Sequence, residues 1–267
     1  MEKIFTMINP RLKQFMHELN FDNVAIPETK QAPPSQTTSA EFSLEDLTDC
    51  WRFAGINYRN GIYLVDLAKA LQPSKTQDEH AEHKKQIIAN NSNEFYLPDY
   101  PLFHSMITAL SQNKDNPQYK TKIEEARQFL KDSALKHWLM MLTRIQYNPG
   151  NKKDMVFHNY KQQDQYAIGP SSFKGPNGGI TNQDTSNAEE PIRALLDTKQ
   201  SMQEINQIYK WLTDVDAYIS RANFEVNNTI EHVAGFYASS SWANLNCNRN
   251  PSYSSEGLGV RAQKILK

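Results

Sequence analysis

Seven histidines and two cysteines are the side chains in this sequence that could supply acid–base, nucleophilic or metal chemistry. The histidines are scattered, and none of them has Asp, Glu or Cys neighbours at metal-ligand spacing. His80 and His83 could share one face of a helix, but the second histidine that zinc proteases carry four positions after the first is missing. We therefore predict no metal, no cofactor and no catalytic residue, and we expect a protein that is not an enzyme.

Two other features leave chemistry open as an alternative. Cys247 lies between two asparagines, and a free cysteine at such a position is usually a small buried hydrophobe. A reactive thiol is the alternative, although only Arg249 is close enough in sequence to lower its pKa. The glycines at Gly175–Gly179 could cradle a phosphate, but the Lys-Ser/Thr ending of a phosphate loop is absent.

Recognition is the chemistry that the C-terminal residues favour. Asparagines occupy every second position after Trp242, namely Asn244, Asn246, Asn248 and Asn250. Ala243, Leu245 and Cys247 fill the positions between them. This period of two predicts a strand with the asparagines and Trp242 on one face and the small apolar residues on the other. Because Asn is a poor strand former, strand propensity does not explain the pattern.

Serines and tyrosines complete this segment, and Tyr, Ser, Asn and Trp together are typical of binding surfaces. We predict a ligand-binding set made of Tyr237, Ser239, Ser241, Trp242, Asn244, Asn246, Asn248, Asn250, Ser252, Tyr253 and Ser255. The expected partner is an unknown protein or surface ligand. The alternative is a polar surface hairpin that has no partner.

The same segment resembles a known family. Ser241-Trp242, a polar stretch and then Gly257–Arg261 resemble the C-terminal end of the formylglycine-generating-enzyme type of C-type-lectin-like domain, and most closely the variable proteins of diversity-generating retroelements. Ser239-Ser240 stands where that family commonly has Gly-Gly, and Val260 replaces its usual Phe. The oxidase of this family needs two cysteines close together, and Cys247 is alone here. The resemblance therefore implies a binding fold with a variable ligand face.

Three residues of the closing motif are expected to have structural roles. The resemblance implies that Gly257 and Gly259 belong to an invariant frame beside the variable face. Arg261 is expected to anchor the last strand through a carboxylate or backbone carbonyl groups.

Composition limits the setting of the protein. The net charge of −1 over 267 residues means that the sequence has no excess of positive charge with which to attract nucleic acid or an anionic membrane. No apolar run approaches the length that spans a bilayer, and the first residues do not read as a signal peptide. Two cysteines fit a reducing compartment. We predict a cytoplasmic protein that binds neither nucleic acid nor membrane.

The sequence patterns along the chain predict the helices and strands that must position these residues, and together they indicate an α+β fold in three parts. Residues 1–42 are expected to form an N-terminal helix and a Pro/Ser/Thr-rich linker. Residues 43–137 are expected to be a mainly helical region, with its first helices over 43–55 and 62–71. Residues 138–267 are expected to be a loop-rich α+β domain, which the resemblance assigns to the C-type-lectin-like type, with its binding face at 237–256.

Local patterns in the C-terminal part predict individual elements. The alternation around residues 141–160 predicts a hairpin, and the apolar stripe over 202–212 predicts a helix with a Ser201/Glu204 capping box. Strands are predicted over 217–224 and 232–237, and a closing strand over 258–266.

Three functions from different classes remain open. A recognition protein is the interpretation that the pattern favours. The alternatives are an enzyme derived from the same lectin-like fold that uses Cys247, and a structural or assembly protein. The helical region is expected to mediate a possible homo-oligomer.

Overall fold

The computed structural model describes residues 41–150, 152–171, 173–182 and 187–266. The described residues form one compact unit. The predicted helix and linker of residues 1–42 lie, apart from the last two positions, outside the described residues.

Eleven strands and five helices make up the described residues. The strands are β1 (Ser43–Asp46), β2 (Cys50–Tyr58), β3 (Gly61–Lys75), β4 (Leu139–Tyr147), β5 (Asp154–His158), β6 (Tyr166–Ser171), β7 (Gly178–Gly179), β8 (Ala217–Ser220), β9 (Ile230–Ala238), β10 (Ala243–Arg249) and β11 (Ser255–Leu266). The helices are α1 (Gln77–Ala89), α2 (Tyr100–Gln112), α3 (Lys120–Lys136), α4 (Glu189–Leu196) and α5 (Met202–Thr213).

Two sheets organise these elements. The first has four antiparallel strands in the order β1-β2-β3-β11. The second has seven strands in the order β6-β5-β4-β9-β10-β8-β7, in which only the β10–β8 pair is parallel. The described residues form three strands of the first sheet before α1 and return to it at β11, so the first and last described strands belong to one sheet.

Helix α2 is the most apolar of the helices and lies at the centre of the core. It contacts β2 of the first sheet, β4 of the second, and helices α4 and α5. Phe103 and Leu110 of this helix are fully buried in a cluster that also takes in Phe53 from β2 and Leu245 from β10. One hydrophobic core therefore joins both sheets.

The predicted fold class is wrong. Residues 43–75, expected to be helical, form β1, β2 and β3, and β3 pairs along its length with the C-terminal strand β11. The described residues are a mostly sheet α+β structure, without a helical region that precedes a separate α+β domain of C-type-lectin-like type. The homo-oligomer expected to form through residues 43–137 stays a prediction.

A bulge explains why β2 was predicted as a helix. The pairing of β2 with β3 shifts between Phe53 and Ile56, and Gly55 between them has a φ of 75°. The bulge inserts one residue, so that both side chains point into the core although they are three positions apart. An apolar spacing of three indicates a helix when sequence alone is considered.

A different cause applies to β3. This strand is hydrogen-bonded on both sides, to β2 and to β11. Val65, Leu67 and Ala68 are all buried, so apolar residues occur on both of its faces. A strand buried on both faces has a near-continuous apolar run, which periodicity cannot separate from a buried helix.

Several local predictions are confirmed. The hairpin is β4–β5 and the closing strand is β11, while β8 covers the first half of the predicted strand 217–224 and β9 contains the predicted strand 232–237. Helix α5 begins with the predicted capping box, in which the Ser201 hydroxyl accepts from the Glu204 backbone N–H and the Glu204 carboxylate accepts from the Ser201 backbone N–H.

Candidate functional site

Strand β10 places its asparagines on one face of the second sheet. Asn244 lies opposite Tyr237 of β9 and Tyr218 of β8, whereas Leu245 lies opposite Phe236 and Ile219. Leu245 and its two apolar neighbours are fully buried in the core. The predicted alternation of polar and apolar faces is therefore present.

The expected exposure of the asparagines is wrong for two of them. Asn244 is 1% exposed and Asn246 is 8% exposed. The Asn244 amide donates hydrogen bonds to the Ser220 hydroxyl at 2.9 Å and to the Tyr237 hydroxyl at 3.0 Å. Side chains from both neighbouring strands cover this amide, and the period of one strand contains no information about its neighbours.

A cavity of about 320 Å³ opens between β9, β10 and the C-terminal end of α3. Its lining includes His137, Trp138, Tyr237, Asn246, Asn248 and Arg249. We call this cavity the Trp138 pocket. It brings together three of the predicted binding residues with three that the sequence did not single out.

The Trp138 ring owes its position to a glycine. A Cβ atom at Gly235 would lie 2.4 Å from Cζ2 of the indole ring, so the absence of a side chain lets the ring lie against β9. Met140 is directly opposite Gly235 in the β4–β9 ladder, and this pairing brings Trp138, two residues earlier, close to the glycine. Trp138 is therefore held rigidly at the wall of the pocket.

An arginine between two aromatic rings forms the rim. The Arg249 guanidinium carbon lies 5.1 Å from the Trp138 ring centroid and 4.9 Å from that of Tyr253. Both contacts are cation–π interactions, which fix the guanidinium while its charge stays near the pocket. Tyr253 itself is 56% exposed.

The two amides of the pocket differ in the hydrogen-bonding capacity that they leave free. Asn246 Nδ2 donates to Asn248 Oδ1 at 3.0 Å, and the Asn248 backbone N–H donates to Asn246 Oδ1. The side-chain nitrogen Nδ2 of Asn248 donates to no group within the described ranges. Its two N–H donors are therefore available to a ligand.

Other predicted site residues form the turns on either side of β10. The Ser239 hydroxyl accepts hydrogen bonds from the backbone N–H groups of Ser241 and Trp242. Asn250 Oδ1 accepts from the backbone N–H and the hydroxyl of Ser252, both at 2.9 Å. These side chains shape the β9–β10 and β10–β11 connections.

Two further predicted residues have distinct environments. The Trp242 ring stacks on Tyr218, with 5.0 Å between the ring centroids. Ser255 is buried, and its carbonyl group contacts His80 Nε2 at 3.2 Å.

The closing motif contacts the rest of the first sheet closely. A Cβ atom at Gly257 would lie 2.3 Å from Leu97 Cδ2. Arg261 forms an ion pair with Asp66 at 3.0 Å and donates to the Asn93 carbonyl group at 3.0 Å. These contacts join β11 to β3 and to the segment before α2.

Cys247 has the environment of a small hydrophobe. It is fully buried, and burial raises the pKa of its thiol. A nucleophilic cysteine needs the opposite shift and access to solvent. The described residues also contain no group of three or more His, Cys, Asp and Glu side chains that could hold a metal ion.

The residues that the sequence analysis missed carry weak signals. Trp138 lies at a junction where the pattern changes from helix to strand, and Gly235 interrupts an apolar strand. A glycine within a strand can mark a place where another group approaches the backbone closely. Nothing in the sequence shows that the approaching group is an indole from the residue just before β4, nearly a hundred positions earlier.

Comparison with models of protein families, with curated proteins and with solved structures finds no match to this chain. Among the described residues, every helix is too short or too polar to span a lipid bilayer.

Proposed function

We propose that this protein is a recognition protein, which binds a protein partner by accepting one of its apolar side chains into the Trp138 pocket. The observation that carries this proposal is the indole of Trp138, fixed on Gly235 beside a free amide. Trp, Tyr and Arg dominate the binding energy of protein interfaces, and this pocket has all three at its wall and rim.

Size and charge define the kind of partner segment. A volume of about 320 Å³ is at the small end of ligand pockets, and suits one large side chain rather than a whole cofactor. Lys136 and Arg249 also line the pocket, so its rim favours an acidic group. The partner segment is therefore a peptide with an apolar or aromatic residue next to Asp or Glu.

The surroundings of the pocket support a protein partner over a small molecule. Leu135, at 44% exposed, lines the pocket, and exposed Tyr253 contacts its Arg249 rim. Large exposed apolar side chains around a central anchor are the pattern of a protein interface.

Selection of displayed random peptides on the immobilised full chain tests the proposal. Enriched peptides should contain an aromatic or large aliphatic residue next to an acid. Asn248→Ala should weaken their binding about tenfold, which corresponds to about 1.4 kcal/mol. The matched control is Gln263→Ala, an exposed amide on β11, which should leave binding unchanged. Equal affinity for wild type and Asn248→Ala would contradict the proposal.

The resemblance to variable proteins supports a second, independent test. The exposed or half-exposed positions Asn248, Asn250 and Tyr253 should differ between sister copies of the locus, whereas Gly257–Arg261 should not. Sequencing several clones measures this directly. The same residues at all three positions in every clone would count against a variable face.

A further inference from the structure

A second cavity, also of about 320 Å³, lies between the β2–β3 hairpin, helix α1 and the loop after β5. Its lining includes Tyr58, Tyr63, Lys84, Tyr96, Asp99 and Asp164. We call it the Lys84 cleft. It shares no lining residue with the Trp138 pocket, so an inference drawn from it is independent of the proposed recognition function.

Lys84 is a buried amine without a carboxylate partner. Its side chain donates to Asn159 Oδ1 at 2.6 Å, and Nζ lies 4.2 Å from the Tyr96 ring centroid. Within the described ranges, no carboxylate oxygen lies within 4.0 Å of Nζ. Lys85, the next residue on α1, is exposed, so the two lysines differ in environment rather than in sequence context.

Burial shifts the Lys84 amine towards its neutral form. Burial lowers the pKa of Lys84 to about 8, and the nearby guanidinium of Arg59 acts in the same direction. The carboxylates of Asp99 and Asp164 oppose this shift without reversing it. An ordinary lysine amine has a pKa of about 10.4, so at pH 7.5 the neutral fraction of Lys84 exceeds that of an ordinary lysine by more than tenfold.

Hydrogen bonds hold the walls of the cleft in place. The Tyr58 hydroxyl donates to Asp99 Oδ2 at 2.7 Å, and the Arg59 guanidinium donates to Asp164 Oδ2 at 3.0 Å. The Asn159 amide that accepts from Lys84 also donates to Asp164. The groups around the amine are therefore ordered before any ligand binds.

Two backbone positions in this network are in the left-handed region. Arg59 has a φ of 50° and Asn159 a φ of 53°. Asn tolerates this conformation, but a long side chain such as Arg does so at a cost. Such positions cluster at functional sites, and Arg59 uses its conformation to place its guanidinium 3.8 Å from the Tyr166 ring centroid while it binds Asp164.

We propose that Lys84 is a nucleophilic amine that captures a small aldehyde or ketone as an imine in the Lys84 cleft. The Nζ lone pair forms a bond to the carbonyl carbon, and the carbon–oxygen π pair moves to oxygen. Both protons of the neutral amine then move to that oxygen, the carbon–oxygen bond breaks to release it as one water molecule, and the nitrogen lone pair forms the second carbon–nitrogen bond. No electrons are transferred, so the step needs no oxidant or reductant. The three tyrosines in the lining favour an aromatic carbonyl compound.

Reductive trapping on the folded full chain tests this proposal. Benzaldehyde with sodium cyanoborohydride at pH 7.5 converts an imine into a stable benzyl amine, which peptide mass spectrometry locates. We expect Lys84 to be modified at least about tenfold faster than Lys85, and this advantage to disappear in concentrated urea. Modification of Lys84 no faster than that of Lys85 in the folded protein overturns the proposal. This comparison needs no variant, so it is decided even if substitutions at Lys84 prevent folding.

A matched variant tests the role of the neutral partner. Asn159→Asp places a carboxylate against Nζ, keeps the size of the side chain and tolerates a positive φ. The added charge stabilises the ammonium form, so labelling of Lys84 should fall at least tenfold while thermal unfolding stays cooperative. Unchanged labelling of Lys84 in this variant also overturns the proposal. Neither result depends on peptide binding at the Trp138 pocket.

Discussion

Gly235 shows how one missing side chain can position a binding residue. The Trp138 ring occupies the space of the Cβ atom that any other residue would have at position 235. A side chain at position 235 would overlap the indole ring, so either the ring or strand β9 would have to move. Both are packed against their neighbours, and the indole is too rigid to bend out of the way.

We predict that Gly235→Ala destabilises the protein by about 1–3 kcal/mol, the usual cost of overpacking. Urea unfolding of the single variants and of the double variant with Trp138→Ala measures this. Once the indole is gone the added methyl group has room, so Gly235→Ala should cost much less in the Trp138→Ala background. Equal costs in both backgrounds would show that the ring does not rest on this glycine.

Asn244 shows the difference between a polar residue and an exposed one. Its amide donates to hydroxyl groups on both neighbouring strands and is almost completely buried. A buried amide of this kind contributes to the specificity of strand pairing, since its two partners are lost together when the register slips.

We predict that Asn244→Ala costs about 1–2 kcal/mol, because the Ser220 and Tyr237 hydroxyls lose a buried partner. Asn248→Ala, two positions along the same face, should change stability by less than about 0.5 kcal/mol. Thermal or urea unfolding of the two variants gives the comparison. The reverse order would contradict the burial of these amides.

At the scale of elements, one face of strand β10 packs in the core and the other face lines the Trp138 pocket. Leu245 packs in the core opposite Phe236, while Asn246 on the other face lines the Trp138 pocket. The faces should therefore separate stability from binding.

We predict that Leu245→Ala destabilises by about 2–5 kcal/mol, the cost of a buried leucine truncated in a packed core. The Asn246→Ala, Asn248→Ala double variant should remain much closer to wild type in stability but lose binding of pocket-selected peptides. Unfolding curves and peptide titrations on the same samples separate the two effects. Loss of peptide binding only in proportion to loss of folded protein would contradict a separate binding face.

At the scale of the whole molecule, two buried histidines couple stability to pH. Burial lowers the pKa of His80 and of His104 to about 4 in each case. In the unfolded chain the same imidazoles take up a proton near pH 6.5. Between pH 4 and 6.5 the unfolded state therefore binds more protons, so stability is complete above pH 6.5 and falls as the pH decreases through this window.

We predict that each histidine contributes a slope of up to about 1.4 kcal/mol per pH unit to the free energy of unfolding in this window. In His104→Gln, which cannot titrate, stability should decrease less steeply between pH 6.5 and 5 than in wild type. Urea unfolding at several pH values measures the slopes, and above pH 7 the two proteins should show a constant difference. Parallel curves across the whole range would contradict the assignment to His104.

The first sheet also makes the chain's stability depend on its C-terminal strand. Leu258 of β11 is fully buried in the hydrophobic core, whereas Ile265 near the end of the same strand is 43% exposed. We predict a loss of about 2–5 kcal/mol for Leu258→Ala and less than about 1 kcal/mol for Ile265→Ala, measured by urea unfolding. Similar losses at the two positions would argue against closure of the sheet by β11.

The sequence by itself determined the features that depend on neighbouring residues along the chain. The alternation in β10, the capping box at Ser201 and the apolar stripe of α5 are set by local geometry, and the structure has each of them. The identity of β11 as a strand is also a local property. These predictions needed no knowledge of what lies opposite each element.

Tertiary structure decided which elements pair and which side chains are covered. Residues 43–75, which resemble a helical region in sequence because of the bulge at Gly55 and the burial of β3 on both faces, form three of the four strands of the first sheet. Contacts between residues far apart in sequence bury Asn244, pack the Trp138 ring against Gly235 and enclose Lys84. The periodicity of a segment indicates which way each side chain points within its own helix or strand. Whether that side chain is buried depends on the neighbouring element that packs against it. The neighbouring element is fixed only when the whole chain folds.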